Sequence, residues 1–213
     1  MINAVRSADA PPSLAAGKKY NAPDVVDALR RDFLGKCYLC ESPLSIRQHS
    51  VDHRRPRAKF PELEFVWTNL FPSCRDCNER RPAYPPEGLL DPTTDDVDAR
   101  LSQTLRRDEG GTTDMPVFRP LEPGDACAAA TARELHRLHN SGSVKAAELR
   151  AAINERIDEI LERLLEFQRH AGTTRGPVRA ALEHPLRGDF SRRSPFTALV
   201  RSRLGAGFEH LFD

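Results

Sequence analysis

Two Cys-x-x-Cys pairs, Cys37/Cys40 and Cys74/Cys77, bracket 33 residues of this chain. Four thiolates at that spacing suit a closed tetrahedral zinc site. A site of this kind contributes roughly 10 kcal/mol or more of folding free energy in a small module. A polar stretch can therefore fold around it without a large apolar core. The bracketed segment contains Asp52-His53 and Asn69, and Asn78 follows the last cysteine directly. The metal would thus pin the loops that carry a carboxylate, an imidazole and two carboxamides.

Reading the cysteines as metal ligands depends on the compartment. The first twenty residues, MINAVRSADAPPSLAAGKKY, lack an apolar signal core, which predicts a cytoplasmic protein. In a reducing compartment, paired Cys-x-x-Cys motifs hold metal rather than form disulfides. No apolar run approaches the roughly 20 residues that cross a bilayer, so no membrane partner is expected. Cys127, alone among alanines, is expected to be a small buried apolar residue.

The net charge of +1 does not advertise a nucleic-acid binder, but the distribution of charge does. Residues 47–59 hold Arg47, Arg54, Arg55, Arg57 and Lys59 against Asp52 alone, and Arg75, Arg80 and Arg81 follow near the last cysteine. A local patch can contact phosphates although the whole chain is nearly neutral. The plainer reading is a solvated basic loop; its coincidence with the candidate site favours contact.

The pattern divides the chain into an extended arm over 1–22, a zinc-knuckle module over 23–92 and a helical region over 93–213. Pro23, the apolar face Val25, Val26, Leu29 and Phe33, and the stop at Gly35 predict a helix. Ser50 to His53 reads as a short strand and 56–65 as a loop broken by Pro56 and Pro61. Residues 93–126 look polar and irregular. Thr131-x-x-Glu134 reads as a capping box opening a helix. Leu149, Ile153, Ile157, Ile160 and Leu164 recur at helical spacing over 144–170, and a last helix is expected after Ser194-Pro195. No Gly-x-x-x-x-Gly-Lys-Ser/Thr loop is present, so any nucleotide control must come from another chain.

Adjacent strand residues point to opposite faces, so Asp52 and His53 can take different tasks. An imidazole can accept a proton from water near neutral pH, with His49 as a rival for that role. The Asp52 carboxylate and the Asn78 amide oxygen are hard donors suited to Mg²⁺ or Mn²⁺. Such a cation stabilises the leaving oxygen of a phosphodiester. Arg55, Lys59, Arg80 and Arg81 are candidates to hold the flanking phosphates. His136 and His139 share a helix spacing but have no companion ligands in sequence, and read as surface or packing residues.

The order C37YLC40, V51DHRRP56, W67TNL70, C74RDC77NERR81 resembles the HNH endonuclease family. The resemblance covers about residues 36–81. It implies an α+β chain: a zinc-stabilised ββα-metal HNH module, with a mainly α-helical C-terminal region to follow. It also implies that His53 is the general base, Asp52 and Asn78 the Mg²⁺ (or Mn²⁺) ligands, and Asn69 a brace that orients His53. Many members carry a second His where Asn78 stands, and this departure favours oxygen ligation. More loosely, residues 23–41, W67TNLFPSC74 and the later LLDP look like the HNH effector subunits of Septu-type and retron-associated phage defence, which work with an ATPase. The expected function is DNA hydrolysis with catalytic Mg²⁺ and structural Zn²⁺, in a defence complex docked through the helical region. The alternatives are a stand-alone restriction or mobile-element nuclease, and a catalytically silent zinc module that binds nucleic acid or protein.

Overall fold

A computed structural model describes residues 1, 3–17, 19–45, 49–81, 84–85, 87–107, 113–171 and 176–213. Arg47 of the basic run lies outside them. The elements in order are α1 (Pro12–Ala15), α2 (Pro23–Asp32), β1 (His49–His53), β2 (Leu70–Cys74), α3 (Arg75–Arg80), α4 (Val97–Arg100), β3 (Leu101–Arg107), β4 (Asp114–Pro120), α5 (Ala126–Asn140), α6 (Val144–Ala171), α7 (Pro177–Phe190) and α8 (Thr197–Leu204). The chain forms two compact units. One comprises Met1–Ser102 and Phe118–Leu138, the other Gln103–Val117 and His139–Asp213.

The first unit is built around β1 and β2, an antiparallel pair in which Asp52 lies opposite Phe71 and His53 opposite Leu70. Helix α2 starts with Pro23 at its first turn and ends where Gly35, at φ +73°, donates to the Arg30 carbonyl at 2.7 Å. Its buried Val25 and Leu29 and the following Phe33 lie in a core with Leu70 and Phe71. The first cysteine knuckle is tied to the sheet because the Tyr38 N–H donates to the Pro72 carbonyl. A proline can occupy that strand because a two-stranded sheet consists of edges.

The expected extended arm is anchored to this unit. Arg6 places its guanidinium 4.6 Å from the Phe71 ring and 4.9 Å from that of Trp67. It also donates to the carbonyls of Trp67 and Leu70, while Trp67 Nε1 donates to the Ser7 carbonyl at 3.0 Å.

Three findings revise the sequence reading of the later chain. The unit boundary does not fall at 92. Thr131 Oγ1 accepts the Leu90 N–H at 2.8 Å, Arg137 donates to the Arg80 carbonyl, and Arg100 pairs with Asp125, so 118–138 belong with the cysteine module. The stretch 93–126 is not irregular, because β3 and β4 form a second two-stranded sheet. Thr131 does not open α5; the helix already runs from Ala126, with the Asp125 carboxylate accepting the Ala128 N–H. Thr131 bonds back to the Cys127 carbonyl one turn earlier instead.

In the second unit, α6 packs on α7 and α8. Ile153, Ile157, Ile160 and Leu164 are buried as the period predicts, with Phe190, Leu199 and Val200. Arg156 and Arg163 of α6 share the buried Asp189 carboxylate of α7, each at 2.7 Å. No helix among the described residues is long and apolar enough to cross a membrane.

Candidate active site

The sulfur atoms of Cys37, Cys40, Cys74 and Cys77 all lie within 4.8 Å of one another. Cys40 Sγ and Cys74 Sγ are 3.8 Å apart, which is about the edge of a tetrahedron with Zn–S bonds of ~2.3 Å. Cys74 also caps α3, its sulfur accepting from the Cys77 N–H. Burial pushes the Cys37 thiol well up, while hydrogen bonds from Cys37, Cys74 and Cys77 hold Cys40 well down. Four thiolates packed this closely, three of them buried, repel one another, so holding them together requires a cation at their centre. The donor set fits zinc, and no position remains open for water. Among the described residues no other group of His, Cys, Asp and Glu converges in this way. Cys127 is half-buried and apart.

Helix α3 leaves this cluster and crosses β1. Asn78 donates to Ser50 Oγ at 2.9 Å, and Arg81, one turn on, reaches Asp52. Ser50 and Asp52 share one face of the strand, so Asn78 and Asp52 lie on the same side of it. The Asp52 carboxylate is 4% exposed. Its Oδ2 accepts from the Tyr38 hydroxyl at 2.7 Å and pairs with Arg81 at 3.0 Å. Burial pushes the Asp52 carboxyl up; Arg81 and the phenol pull it back down. The Tyr38 phenol is itself driven well above its usual range by burial and stays a donor. Oδ1 of Asp52 and Oδ1 of Asn78 have no hydrogen-bond partner among the described residues. A carboxylate oxygen and a carboxamide oxygen on one face fit a hard divalent cation. Asn78 and Ser50 also line a groove of about 490 Å³ together with Tyr20, Asp27, Arg30 and His49.

His53 turns the other way. Its Nε2 lies 3.0 Å from the Glu64 carbonyl, and Tyr20 packs edge-on against its ring at 4.6 Å. A carbonyl only accepts, so in the neutral ring Nε2 carries the hydrogen and Nδ1 keeps its lone pair. Burial pushes the His53 imidazole below its ordinary value, against the Glu64 bond and the Asp52 charge. A neutral ring with a fixed tautomer is a competent proton acceptor at pH 7.

Asn69 determines where Glu64 lies. Its Oδ1 accepts the Arg55 N–H at 2.8 Å, and its Nδ2 donates to the carbonyls of Arg55 and Leu63 at 3.1 and 3.2 Å. The amide thus closes the loop from 54 to 69 and holds the residue next to Glu64.

The four basic candidates separate. Arg55 and Lys59 are exposed and Arg80 is half-buried. The Arg81 side chain is 8% exposed and bonds Asp52, the Tyr38 hydroxyl and the His53 carbonyl. In the structure it is an internal brace; sequence position beside Arg80 hid this. Tyr38, Tyr20 and Glu64 were missed as contributors. Only Tyr38 had a sequence signal, its place inside a knuckle. Both ring nitrogens of His49 are buried without a hydrogen-bond partner, and the residue lies opposite Cys74.

Residues 37–82 match the sequence model of the HNH endonuclease family. With the four-thiol cluster, the antiparallel pair β1–β2 and α3, this segment has the make-up of a zinc-type HNH nuclease module. The chain is also 34% identical over 64 residues to Septu protein PtuB of Bacillus thuringiensis. That match covers 28% of this chain and 25% of the relative, so it spans about a quarter of the relative's length. No solved structure matches.

Proposed function

We propose that the chain is a metal-dependent endonuclease that hydrolyses DNA, serving as the nuclease of an anti-phage defence complex with an ATPase. His53 Nδ1 takes a proton from a water, the resulting hydroxide attacks phosphorus, and the P–O3′ bond breaks. The products carry 5′-phosphate and 3′-hydroxyl ends, the leaving oxygen taking its proton from solvent. Asp52 and Asn78 would hold Mg²⁺ or Mn²⁺, which supplies charge stabilisation at the phosphate and the leaving oxygen. Asn69 keeps the loop that carries the Glu64 carbonyl and so keeps the His53 tautomer. Exposed Arg55 and Lys59, with Arg80 at the margin, hold flanking phosphates.

The observation that carries this reading is the bond between His53 Nε2 and the Glu64 carbonyl on a ring depressed by burial. A silent zinc module has no use for an imidazole fixed in the tautomer of a base. The defence setting rests on the likeness to the Septu protein. The ATPase rests on that likeness and on the lack of a phosphate-cradling loop in this chain. Docking is assigned to the helical unit. Among the arginines of its Arg-rich tail, Arg187, Arg201 and Arg203 pair with Glu183, Asp213 and Asp114.

The test is co-expression with a neighbouring ATPase, followed by gel filtration and plasmid cleavage in Mg²⁺. A stable complex that cuts DNA supports the whole reading. Cleavage by the chain alone, with no complex formed, replaces it with a stand-alone nuclease. No cleavage in either form, with zinc bound, leaves the silent module.

A further inference from the structure

Of the two residues that hold Asp52, one lies inside the first zinc knuckle and the other just beyond the second. Tyr38 sits between Cys37 and Cys40 in the first, 4% exposed, its ring 5.0 Å from that of Phe71. Arg81 lies four residues after Cys77, and its own N–H donates to the Cys77 carbonyl at 3.1 Å. The hydrogen bonds among the three side chains have a single consistent direction. Arg81 has only donors, so the Tyr38 oxygen, 2.8 Å from Nη1, accepts from it. The phenol hydrogen must then go to Asp52 Oδ2 at 2.7 Å. That oxygen also faces Arg81 Nη1 at 3.0 Å. Arg81 Nη2 donates to the His53 carbonyl at 2.7 Å, which fixes the strand on which both acid and base stand. One carboxylate oxygen is therefore saturated by the knuckles, and the other is left over.

We propose that Tyr38 and Arg81 are positioning residues through which the two zinc knuckles orient Asp52, so that the structural zinc site sets the affinity of the catalytic cation. This rests on Asp52 being the cation ligand, as argued above. A carboxylate with one anchored oxygen is held against rotation and against chelating through both, and it leaves a single oxygen for a cation. Groups that hold a ligand in this way typically affect metal affinity about 10–100-fold when removed.

The test measures binding, not turnover. In full-length protein carrying His53→Ala, Mn²⁺ binding is followed by electron paramagnetic resonance, with zinc content measured on the same samples. Tyr38→Phe keeps the ring against Phe71 and removes only the hydroxyl; Arg81→Lys keeps the charge and removes the fork. Each is expected to weaken Mn²⁺ binding about 10-fold or more while zinc stays at one per chain. Asp52→Asn should abolish it. If both variants bind Mn²⁺ as tightly as their parent while Asp52→Asn does not bind, the coupling is overturned and the nuclease reading stands. If affinity falls only in step with zinc loss in both variants, the residues merely hold the fold and the proposal is likewise overturned. If the parent itself binds no Mn²⁺, the cation site of the proposed nuclease fails, and the coupling fails with it.

Discussion

The Asn69 carboxamide takes both backbone polar groups of Arg55, its Oδ1 accepting the N–H at 2.8 Å and its Nδ2 donating to the carbonyl at 3.1 Å. A carboxamide supplies the acceptor and the donor on separate atoms, so one side chain can take both groups at once. Asn69→Ala removes the partner of three part-buried backbone groups, which would cost up to about 1–3 kcal/mol each if they stayed unsatisfied. The expected result is a loss of at least about 2 kcal/mol in chemical denaturation, with cleavage reduced because Glu64 no longer holds His53. Asn69→Asp loses the two donated bonds and should behave in the same direction. Unchanged stability in Asn69→Ala would contradict the bracing role.

Burial lowers the His53 pKa below its ordinary value near 6.5. The base works only when neutral. Activity should therefore hold as pH falls from 8 toward 6.5 and be lost only below that, as the ring takes its proton. The sign of the linkage is the same for folding, since a depressed folded pKa makes stability fall on the acid side. A pH–rate profile with its acid midpoint above 7 would contradict this.

Arg81 is an internal partner of a carboxylate that is 4% exposed. Arg81→Met should destabilise the first unit by about 3–5 kcal/mol, because it strands a buried charge. Adding Asp52→Asn should recover part of that loss. Arg75→Met, a surface change at the other end of the same helix, where Arg75 pairs only with exposed Glu79, should shift stability by less than about 1 kcal/mol. Thermal unfolding of the four proteins distinguishes the internal pair from the surface pair.

Each cysteine is one of four ligands in a site with no open position. Cys40→Ser or Cys74→Ser should lower zinc content and solubility together, since the metal contributes roughly 10 kcal/mol or more to modules of this size. A soluble, active Cys74→Ser protein with less than half the zinc would contradict the four-cysteine site.

What the sequence made readable were features fixed by local spacing. The thiol quartet, the strand carrying Asp52 and His53, α2 with its Pro23 start, and the α6 stripe all follow from periods of two, three and four residues. What escaped it were contacts fixed by tertiary approach. Tyr38 meets Asp52 across 14 residues and Arg81 meets Tyr38 across 43, and no spacing rule links them. Arg81 looked like a phosphate ligand because it follows Arg80 in a basic run; Arg80 ends α3, and the backbone of Arg81 turns extended just past it. The β3–β4 pair was hidden because its strands carry as many polar as apolar residues. The Thr131–Glu134 pattern matched a helix start by composition, while Asp125 held the cap.

Cleavage of supercoiled plasmid in Mg²⁺, compared between the wild-type chain and His53→Ala in the same complex or alone, tests the proposed nuclease most directly. Removing a general base is expected to slow the reaction about 10²–10⁴-fold, with zinc content and unfolding temperature unchanged. Cleavage by His53→Ala at the wild-type rate would contradict the assignment and move the base elsewhere, with His49 beside Cys74 the next residue to test.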